Sequence, residues 1–494
     1  MVFNSYTFIV FFIIILVLHN LPLPWKVKKI NLLLASYIFY AAWNPPFILL
    51  LWLATIVDYY VGRALYTEPN KQRRKLLLVL SLCGNLGMLV FFKYGTFLLE
   101  NFTALVQAFG IDYQPAKPNI ILPAGISFYT FTTLCYTIDM YKKRSEPVKS
   151  LLDFSLFVTF FPHLVAGPIV RPPQLVPQFE TPRTAHKKQL MQGLLLLSLG
   201  LFMKVVLADS MLAEPANTVF NATAPLRTLD AWMGVLAFSG QIFFDFAGYS
   251  TCAIGVAACL GFVLPENFLY PYAATGFSDF WRRWHITLSA WLRDYLYIPL
   301  GGNRKGVLRT YGNLMVTMLL GGLWHGANWT FVVWGALHGF YLMVEKFVQD
   351  VRAKASLQPM LSSNADVALK GPSLPRILKS PAANSFAYAL FTFFLVNVTW
   401  VFFRATSFSA AWRLLISMFS GVPSGEVLLT NMSILKVAVI IILMLAVHWY
   451  MRNKRVLEVA AKLPWWLLSV VWAIMLILLI LSQESSSSFI YFQF

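Results

Sequence analysis

Charged side chains are scarce in this sequence. Only 12% of its 494 residues are Asp, Glu, Lys or Arg, whereas 58% are hydrophobic, and the mean hydropathy is +0.64. These values exclude an ordinary soluble globular domain. The chain is therefore predicted to be an all-α polytopic membrane protein, with room for roughly ten or more spans of ~20 residues each.

Acidic residues are the scarcer charge type, with 21 Asp and Glu against 39 Lys and Arg. The basic residues fall in short clusters between apolar runs, which is typical of loops at an anionic membrane surface and not of nucleic-acid-binding proteins. Lys26, Lys28 and Lys29 follow an apolar N-terminal stretch that is predicted to be an uncleaved first helix. The positive-inside rule predicts a cytoplasmic loop there and an N-terminus on the outer side. Because basic loops recur so often, some segments are expected to enter the membrane and leave on the same side.

Cysteine is also rare, and no two of the four cysteines form a CxxC pair. Cys252 and Cys259 are ~10 Å apart along a helix, which is too far for a disulfide. All four are expected to be small apolar packing residues. The sequence further lacks the GxSxG, HExxH and P-loop patterns, so nothing in it indicates a serine hydrolase, a zinc protease or a nucleoside triphosphatase.

Helix-breaking residues interrupt two of the apolar segments. The short runs at 31–43 and 46–62 are separated by Asn44-Pro45-Pro46, which predicts a hairpin or an incompletely spanning element. Residues 154–173 contain several prolines, and irregular backbone at membrane depth must be buried in protein or line a wet cavity. This segment therefore indicates an interior that solvent enters. The sequence shows one polar linker, at 357–384, and no internal repeat.

His325 lies in an apolar segment that is too long for one membrane helix. The 35 residues at 310–344 include no Asp, Glu, Lys or Arg and would span ~52 Å as one straight helix, against a hydrocarbon core of ~30 Å. A break or a close helix contact is predicted at Gly321, Gly322 and Gly326, beside the histidine. An intramembrane histidine there is a functional candidate, and the alternative is a neutral imidazole that bonds a neighbouring carbonyl.

A second candidate, His285, lies in residues 278–306, SDFWRRWHITLSAWLRDYLYIPLGGNRKG. Wound as one amphipathic helix, this stretch places His285 with the aromatic residues, including Trp281, and the charged residues on the other side. The helix is predicted either to lie on the lipid interface or to line a cavity whose basic rim receives a phosphorylated ligand. The predicted rim consists of Arg282, Arg283, Asn303, Arg304 and Lys305.

Together, His285 and His325 are a candidate acid/base pair that uses no metal ion, nucleophilic serine or carboxylate pair. A neutral imidazole can take the proton from an alcohol while that alcohol attacks an acyl carbon. The pair therefore indicates acyl transfer to a hydroxyl. Trp324 and Asn328, close to His325 in the sequence, are further candidates for the lining of the site.

The remaining histidines are predicted to be structural. His338 is thirteen residues past His325, ~140° round a continuous helix, and should face elsewhere. His19, His186 and His448 receive the same interpretation. His163 lies in the broken segment at 154–173 and keeps a functional alternative.

The motifs DFWRRWHITLSAWLRDYLYIPLGGNRKG at 279–306 and LLGGLWHGANWTFVVWGALHG at 319–339 resemble the membrane-bound O-acyltransferase superfamily. More closely, they resemble the bacterial branch that contains the alginate O-acetyltransferase membrane subunit. Supporting stretches extend the resemblance over almost the whole chain. They lie at 121–142, 160–172, 200–209 and 241–262, and in the terminal FIYFQF.

The resemblance implies a fold of about eleven transmembrane helices plus re-entrant segments around a tunnel, with His325 as the catalytic histidine. Many eukaryotic members carry asparagine where this chain has His285, so that residue's role stays open between orienting the donor, shuttling the proton and lining the tunnel. One membrane domain is expected over residues 1–494, with the motifs in a catalytic core at 119–344 and C-terminal helices at 385–494.

The resemblance also implies a reaction. Acetyl from a cytosolic thioester, either acetyl-CoA or an acyl carrier, would cross a bacterial inner membrane, with the donor phosphates near the basic rim. An SGNH-type periplasmic acetyltransferase would then complete the O-acetylation of a polysaccharide, with alginate as the first candidate. No bound cofactor, metal ion or nucleic acid is implied. The alternatives are cellulose or peptidoglycan as acceptor, transfer of D-alanyl or long-chain acyl groups, and a transporter of a polymer or lipid-linked intermediate.

Overall fold

The computed structural model describes residues 1–116, 118–361, 381–420, 425–482 and 490. Regular structure in these residues is helical, and the β-type pairing among them is the isolated bridge between Leu226 and Glu426. By length and composition, seven helices in the described part of the chain can cross a membrane, and three shorter helices are also apolar. The prediction of an all-α polytopic membrane protein is confirmed.

The N-terminal part consists of helices joined by short turns. A 3-10 turn at Pro45–Phe47 separates α2 from α3, as the Asn44-Pro45-Pro46 sequence predicts, and a π-helical turn at Val90–Tyr94 joins α4 to α5. These helices are α1 (Tyr6–Asn20), α2 (Trp25–Ala41), α3 (Ile48–Thr67), α4 (Lys71–Leu89), α5 (Gly95–Ala108), α6 (Ile126–Tyr141), α7 (Leu151–Thr159), α8 (Phe161–Leu164) and α9 (Pro172–Glu180).

The rest of the chain contains the central helix and the segments around the candidate histidines. Two further π-helical stretches occur, at Phe202–Leu212 and at Arg293–Tyr297, and a 3-10 turn lies at Pro271–Ala273. The α-helices are α10 (Lys187–Leu201), α11 (Ala213–Phe220), α12 (Thr228–Cys259), α13 (Phe277–Trp281), α14 (Ile286–Leu292), α15 (Val307–His325), α16 (Trp329–Leu361), α17 (Pro381–Arg404), α18 (Phe408–Phe419), α19 (Asn431–Met451), α20 (Val456–Ala460) and α21 (Trp465–Leu481).

Helix α12 is the centre of the bundle. Its most apolar stretch is 83% buried, whereas the corresponding stretches of the other six candidate spans are 17–50% buried. Helices α10, α11, α17, α18 and α19 all pack against it. A helix that is apolar all round is expected in such a central position, since protein surrounds it on every side.

Three of the four cysteines fit their predicted packing role. Cys135, Cys252 and Cys259 are buried free thiols, and the last two lie against α10, with sulfur atoms 3.6 and 3.8 Å from backbone carbonyls. Cys83 is exposed on the outer surface of α4, so the packing interpretation is wrong for that residue.

The broken segment at 154–173 is buried in protein instead of lining a wet cavity. Helices α7, α8 and α9 replace a single span there, as its prolines predict. Phe160, Phe161 and His163 are at most 3% exposed. The expectation that solvent enters the interior at this segment is therefore wrong, because aromatic packing fills the space around the irregular backbone.

The predicted polar linker at 357–384 lies largely outside the described residues, which omit 362–380. The same is true of the terminal FIYFQF except for Ile490. Ile490 is 3% exposed, and its backbone N–H donates to Asp245 Oδ2 of α12 at 2.7 Å. A residue close to the end of the sequence is thus part of the core.

The over-long apolar segment at 310–344 is broken beside the histidine, as predicted. Helix α15 ends at His325, Gly326 is extended, and α16 begins at Trp329 and packs back along α15. The two helices touch backbone to backbone. A Cβ added to Gly322 would lie 2.3 Å from the carbonyl oxygen of Phe331, and one added to Gly335 would lie 2.4 Å from that of Met318.

We predict that Gly322→Ala destabilises the protein because the added methyl group forces α15 and α16 apart. The expected cost is about 1–3 kcal/mol of folding free energy, typical of overpacking. Thermal unfolding of the detergent-solubilised protein measures it. Gly312→Ala is the matched control, since the same helix has no atom within 4 Å of a Cβ there. Equal melting temperatures for the two variants would contradict the close contact.

Candidate active site

Residues 278–306 do not form the single amphipathic helix that the sequence predicts. Helix α13 ends at Trp281, α14 begins at Ile286, and His285 between them has a left-handed backbone with φ of 42°. The cause is a pairing with a distant segment. The N–H of Ile286 donates to the carbonyl of Asn267, and the carbonyl of Arg283 accepts from the N–H of Leu269. These bonds replace the helical bonds that a continuous helix would make.

The predicted division into a buried and an exposed side is nevertheless confirmed. Trp284 and His285 are fully buried, and Leu288 is 1% exposed, whereas Arg282 and Arg293 are exposed. The buried side faces protein, because Trp284 contacts the rings of Phe268 and Trp400. The segment is therefore not a helix lying on lipid, and the alternative that it lines a ligand-binding cavity stays a prediction.

His325 is buried at the C-terminal end of α15. Its side chain lies among three aromatic rings, with centroid distances of 5.0 Å to Trp324, 4.9 Å to Trp334 and 5.1 Å to Phe403. The residue is 3% exposed. Helices α15, α16 and α17 supply these rings, so the break between α15 and α16 places the imidazole inside an aromatic chamber.

The structure brings the two candidate histidines together around one indole. The Trp324 ring contacts His325 at 5.0 Å and His285 at 6.0 Å between centroids. His285 packs further against Phe246, at 4.7 Å. Neither of its ring nitrogens has a hydrogen-bond partner among the described residues. His285 and His325 thus both contact the Trp324 ring, and their role as an acid/base pair stays a prediction.

His338 also lies beside this site, contrary to the prediction that it faces elsewhere. That prediction assumed a continuous helix, and the break at Gly326 removes the assumption. The Trp334 ring contacts His338 at 4.7 Å on one side and His325 at 4.9 Å on another. His338 Nε2 lies 3.0 Å from Thr399 Oγ1, whose hydroxyl donates to the carbonyl of Val396, so Nε2 is the donor to Thr399.

The other histidines lie away from the aromatic chamber. His19 Nε2 is 3.0 Å from the carbonyl oxygen of Arg183, and His448 Nδ1 accepts the N–H of Tyr272. His163 packs against Phe160 in the buried broken segment, and His186 is exposed. Their positions fit structural roles.

The predicted basic rim is divided between two places. Arg283 is committed to internal bonds with Asp279 Oδ1, at 2.9 Å, and with the carbonyl oxygen of Arg452, at 2.7 Å. Arg282 is exposed and donates to the carbonyl of Ser278. Asn303, Arg304 and Lys305 are exposed on the turn before α15. The 19 residues of α15 place that turn ~28 Å from His325.

Asn328, a predicted lining residue, holds the backbone after the break. Its Oδ1 accepts the N–H of Thr330 at 3.0 Å, and its Nδ2 donates to the carbonyl of Thr406 at 3.2 Å. An asparagine before the first turn of a helix commonly caps it in this way. Asn328 therefore fixes the start of α16.

Buried donors without acceptors lie in and beside the aromatic chamber: the rings of Trp324 and Trp334 contact His325, and that of Trp281 contacts Trp334. The indole N–H groups of Trp281, Trp324 and Trp334 have no acceptor among the described residues. Buried donors are normally paired, and an unpaired one is costly. These groups are therefore available to an acceptor that enters the chamber, such as a carbonyl oxygen. In the described part of the chain, no three His, Cys, Asp or Glu side chains lie together in a way that could hold a metal ion.

Sequence reasoning missed two intramembrane charged groups. Lys93 donates to the carbonyl oxygens of Trp324, at 2.7 Å, and His325, at 3.0 Å. Lys204 bonds Asp209 at 2.9 Å and Asp245 at 2.7 Å, between the π-helical stretch at 202–212 and α12. A lone charge in an apolar run is the signal that would have found both. The Lys204 group is remote in sequence from the histidine motifs and ties the central helix to its neighbour.

The fold and site define a class of membrane-embedded proteins in which a helix break places histidines inside an aromatic chamber. The chain belongs to the MBOAT, membrane-bound O-acyltransferase family, whose model matches residues 38–365. It is therefore an acyltransferase that acts on hydroxyl groups, and the predicted family resemblance is confirmed.

Several relatives match over most of their length. A probable alginate O-acetylase AlgI of Azotobacter vinelandii is 40% identical over 85% of this chain and 78% of its own. The probable alginate O-acetylase AlgI of Pseudomonas putida is 38% identical over 100% of both chains. A peptidoglycan O-acetyltransferase of Helicobacter pylori is 38% identical over 79% of this chain and 73% of its own. The similarity to the alginate branch is thereby confirmed.

We predict that Asp279→Asn destabilises the protein at neutral pH. Burial raises the pKa of Asp279, but the Thr275 N–H, Arg283 and Arg452 together outweigh it and hold that pKa below its ordinary value. The ionised carboxylate is therefore stabilising above the ordinary carboxyl pKa of ~3.9, and this stability is lost as pH falls through the lowered pKa. The expected cost at pH 7 is about 1–3 kcal/mol, because the two arginines lose an ionised acceptor and an NH2 group replaces one of its two oxygens.

Thermal unfolding of the two proteins between pH 3 and pH 8 tests this expectation. The difference in melting temperature should be constant above about pH 5 and should shrink below about pH 4. Asp350→Asn is the control. Asp350 pairs with Lys346, and their side chains are 32% and 40% exposed, respectively. Exposed ion pairs of this kind contribute little to the free energy of unfolding. A variant as stable as the wild type at pH 7 would contradict the role of Asp279.

Proposed function

We propose that this chain is the membrane subunit of a polysaccharide O-acetylation system in a bacterial inner membrane. It takes acetyl from a cytoplasmic thioester and delivers it to the outer side, where an SGNH-type acetyltransferase completes the transfer. The observation that carries the proposal is the buried His325, which lies at a helix break among unpaired indole donors. The alginate O-acetylase relatives, which match 85–100% of this chain, support alginate as the acceptor.

In the proposed reaction, His325 is the general base. The hydroxyl that takes acetyl from this chain, in the proposal the nucleophilic serine of the partner acetyltransferase, attacks the thioester carbonyl carbon, and its proton passes to the imidazole while the new C–O bond forms. The C–S bond then breaks, and the thiolate takes the proton from the imidazolium. The indole N–H of Trp334 or Trp324 donates to the carbonyl oxygen as negative charge develops on it. Burial protects the acyl group from water.

The exposed basic residues support a cytoplasmic thioester donor. Arg282 lies three residues from His285, and its guanidinium is exposed. Arg304 and Lys305 lie at the far end of α15 and suit the more distant phosphates of coenzyme A or a phosphopantetheine arm. Arg283 has no part in donor binding, since Asp279 and two backbone carbonyls occupy its guanidinium.

The positions of the basic clusters support the orientation. Lys29 pairs with Asp153, Arg74 donates to the carbonyl of Tyr141 beside Lys142, and Arg455 pairs with Glu266. The contact between Arg74 and Tyr141 joins two of the basic clusters, those at 71–75 and 142–144. By the positive-inside rule the basic loops are cytoplasmic, which supports a periplasmic position for the N-terminal end of α1.

Peptidoglycan is a second candidate acceptor, because the Helicobacter pylori relative named for that polymer is almost as similar as the alginate O-acetylases. Chemical analysis of both polymers from the same cells distinguishes the two. Alkali-labile acetate on the polysaccharide and not on peptidoglycan supports alginate-type modification. Family membership sets aside the transporter alternative.

We predict that His325→Ala abolishes acetylation, because no base then accepts the hydroxyl proton. The measurement is acetate released by mild alkali from polymer made in cells whose only copy of this chain is the variant. Protein abundance in the membrane is quantified in parallel. His186→Ala is the matched control, since His186 is exposed and remote from the chamber. Acetylation retained by His325→Ala at normal abundance would overturn the proposed function.

We further predict that Trp334→Phe lowers the rate of acetylation about 10²-fold, because it deletes one N–H donor while keeping an aromatic ring. Trp291→Phe is the control, because the indole N–H of Trp291 already donates to the carbonyl of Phe131 at 3.1 Å. The same acetate assay applies, normalised to protein abundance. Equal activity of Trp334→Phe and wild type would exclude this indole as the oxyanion donor.

A further inference from the structure

Lys93 lies in the middle of a membrane helix, where a charge is costly and is usually kept for a function. It is the only basic residue between Lys75 and Lys117. The π-helical turn at Val90–Tyr94 contains it, within a helical stretch of 38 residues at Lys71–Ala108. Single π-helical turns inside α-helices are frequent at functional sites.

Within the described part of the chain, Lys93 binds the end of α15. Its Nζ donates to the carbonyl oxygens of Trp324, at 2.7 Å, and His325, at 3.0 Å, and lies 5.6 Å from the centroid of the Trp324 ring. The neighbouring Tyr94 hydroxyl donates to the carbonyl of Leu323 at 2.7 Å. The turn therefore binds three consecutive carbonyls.

These carbonyls need partners from outside their own helix. The last carbonyls of any α-helix have no intrahelical donor, and they are the negative end of the helix dipole. A left-handed glycine commonly provides a cap, but Gly326 has φ of −166° and leads the chain away in an extended conformation. A cation from a neighbouring helix takes the place of that cap.

A second contact from the same region fixes the other side of the break. Asn101 Oδ1 of α5 accepts the indole N–H of Trp329, the first residue of α16, at 2.9 Å. The α4–α5 region thus contacts the end of α15 and the start of α16. His325 lies between these two anchored points.

We propose that Lys93 is a positioning residue for acyl transfer, whose ammonium group caps α15 and thereby fixes the backbone of His325 and the indole of Trp324. This inference rests on the proposed function, in which His325 is the base. Lys93 acts through these two residues, because its ammonium group donates to their backbone carbonyls. Its positive charge also interacts favourably with the negative end of the α15 dipole. A neutral side chain would leave that end uncompensated in the membrane.

The test compares four variants by acetate released from polymer, divided by the abundance of the full-length protein in the membrane. Lys93→Met, which keeps the length and removes the charge and donors, is expected to lose about 10²-fold in acetylation, since small displacements of reacting groups cost this much. Lys93→Arg keeps the charge and donors and should restore most of the activity. Tyr94→Phe, which removes one neutral bond, should cause a smaller loss. Lys75→Met, at an exposed lysine of the same helix, should have no effect.

Thermal unfolding in detergent separates positioning from loss of fold. Lys93→Met is expected to melt within a few degrees of wild type while its activity falls. Wild-type activity in Lys93→Met overturns the inference, and so does an equal loss in Lys93→Met and Lys93→Arg at equal abundance. His325→Ala, run in parallel, distinguishes the two claims. If it is active, the proposed function fails, and if it is inactive while Lys93→Met is active, only the inference on Lys93 fails.

Discussion

The site depends on one constraint, which is that backbone polar groups in a hydrocarbon environment must find partners within the protein. A histidine can be placed at a helix break in the membrane only if the freed carbonyls are bound. Here Lys93 and Tyr94 bind the carbonyls of residues 323–325, and Asn328 caps the helix that follows. The break, the aromatic chamber and the placement of His325 all follow from these bonds.

The aromatic chamber combines tight packing with buried N–H donors that have no hydrogen-bond acceptor in the part of the chain that the structure describes. Rings from several helices enclose the imidazoles, whereas the indole N–H groups of Trp281, Trp324 and Trp334 lack acceptors in the described structure. Folding alone gains nothing from such donors, because each is desolvated without a hydrogen bond. Their presence is understandable if a substrate oxygen accepts their hydrogen bonds. Donors that are already held in position do not have to reorganise as the reaction proceeds.

Local sequence features predicted the parts of the site that depend on local physics. The length of the uncharged run and its glycines predicted the break at His325, and side-chain periodicity predicted which residues near His285 are buried. The break at His285 escaped prediction because it depends on pairing with Asn267, eighteen residues away. The place of His338 was missed for a related reason, since a helical angle has no meaning across Gly326. Lys93 and the Asn328 cap carried readable signals, a lone charge and an asparagine before a helix.

The bond from Ile490 to Asp245 has a consequence for biosynthesis. The two residues are 245 positions apart, so the ribosome needs about 10–50 s to make the second after the first. During that interval the Asp245 carboxylate of the central helix lacks the N–H donor that Ile490 supplies in the folded protein. The hydrogen bonding of the central helix is therefore complete only after residue 490 has been made, although α12 itself ends at Cys259.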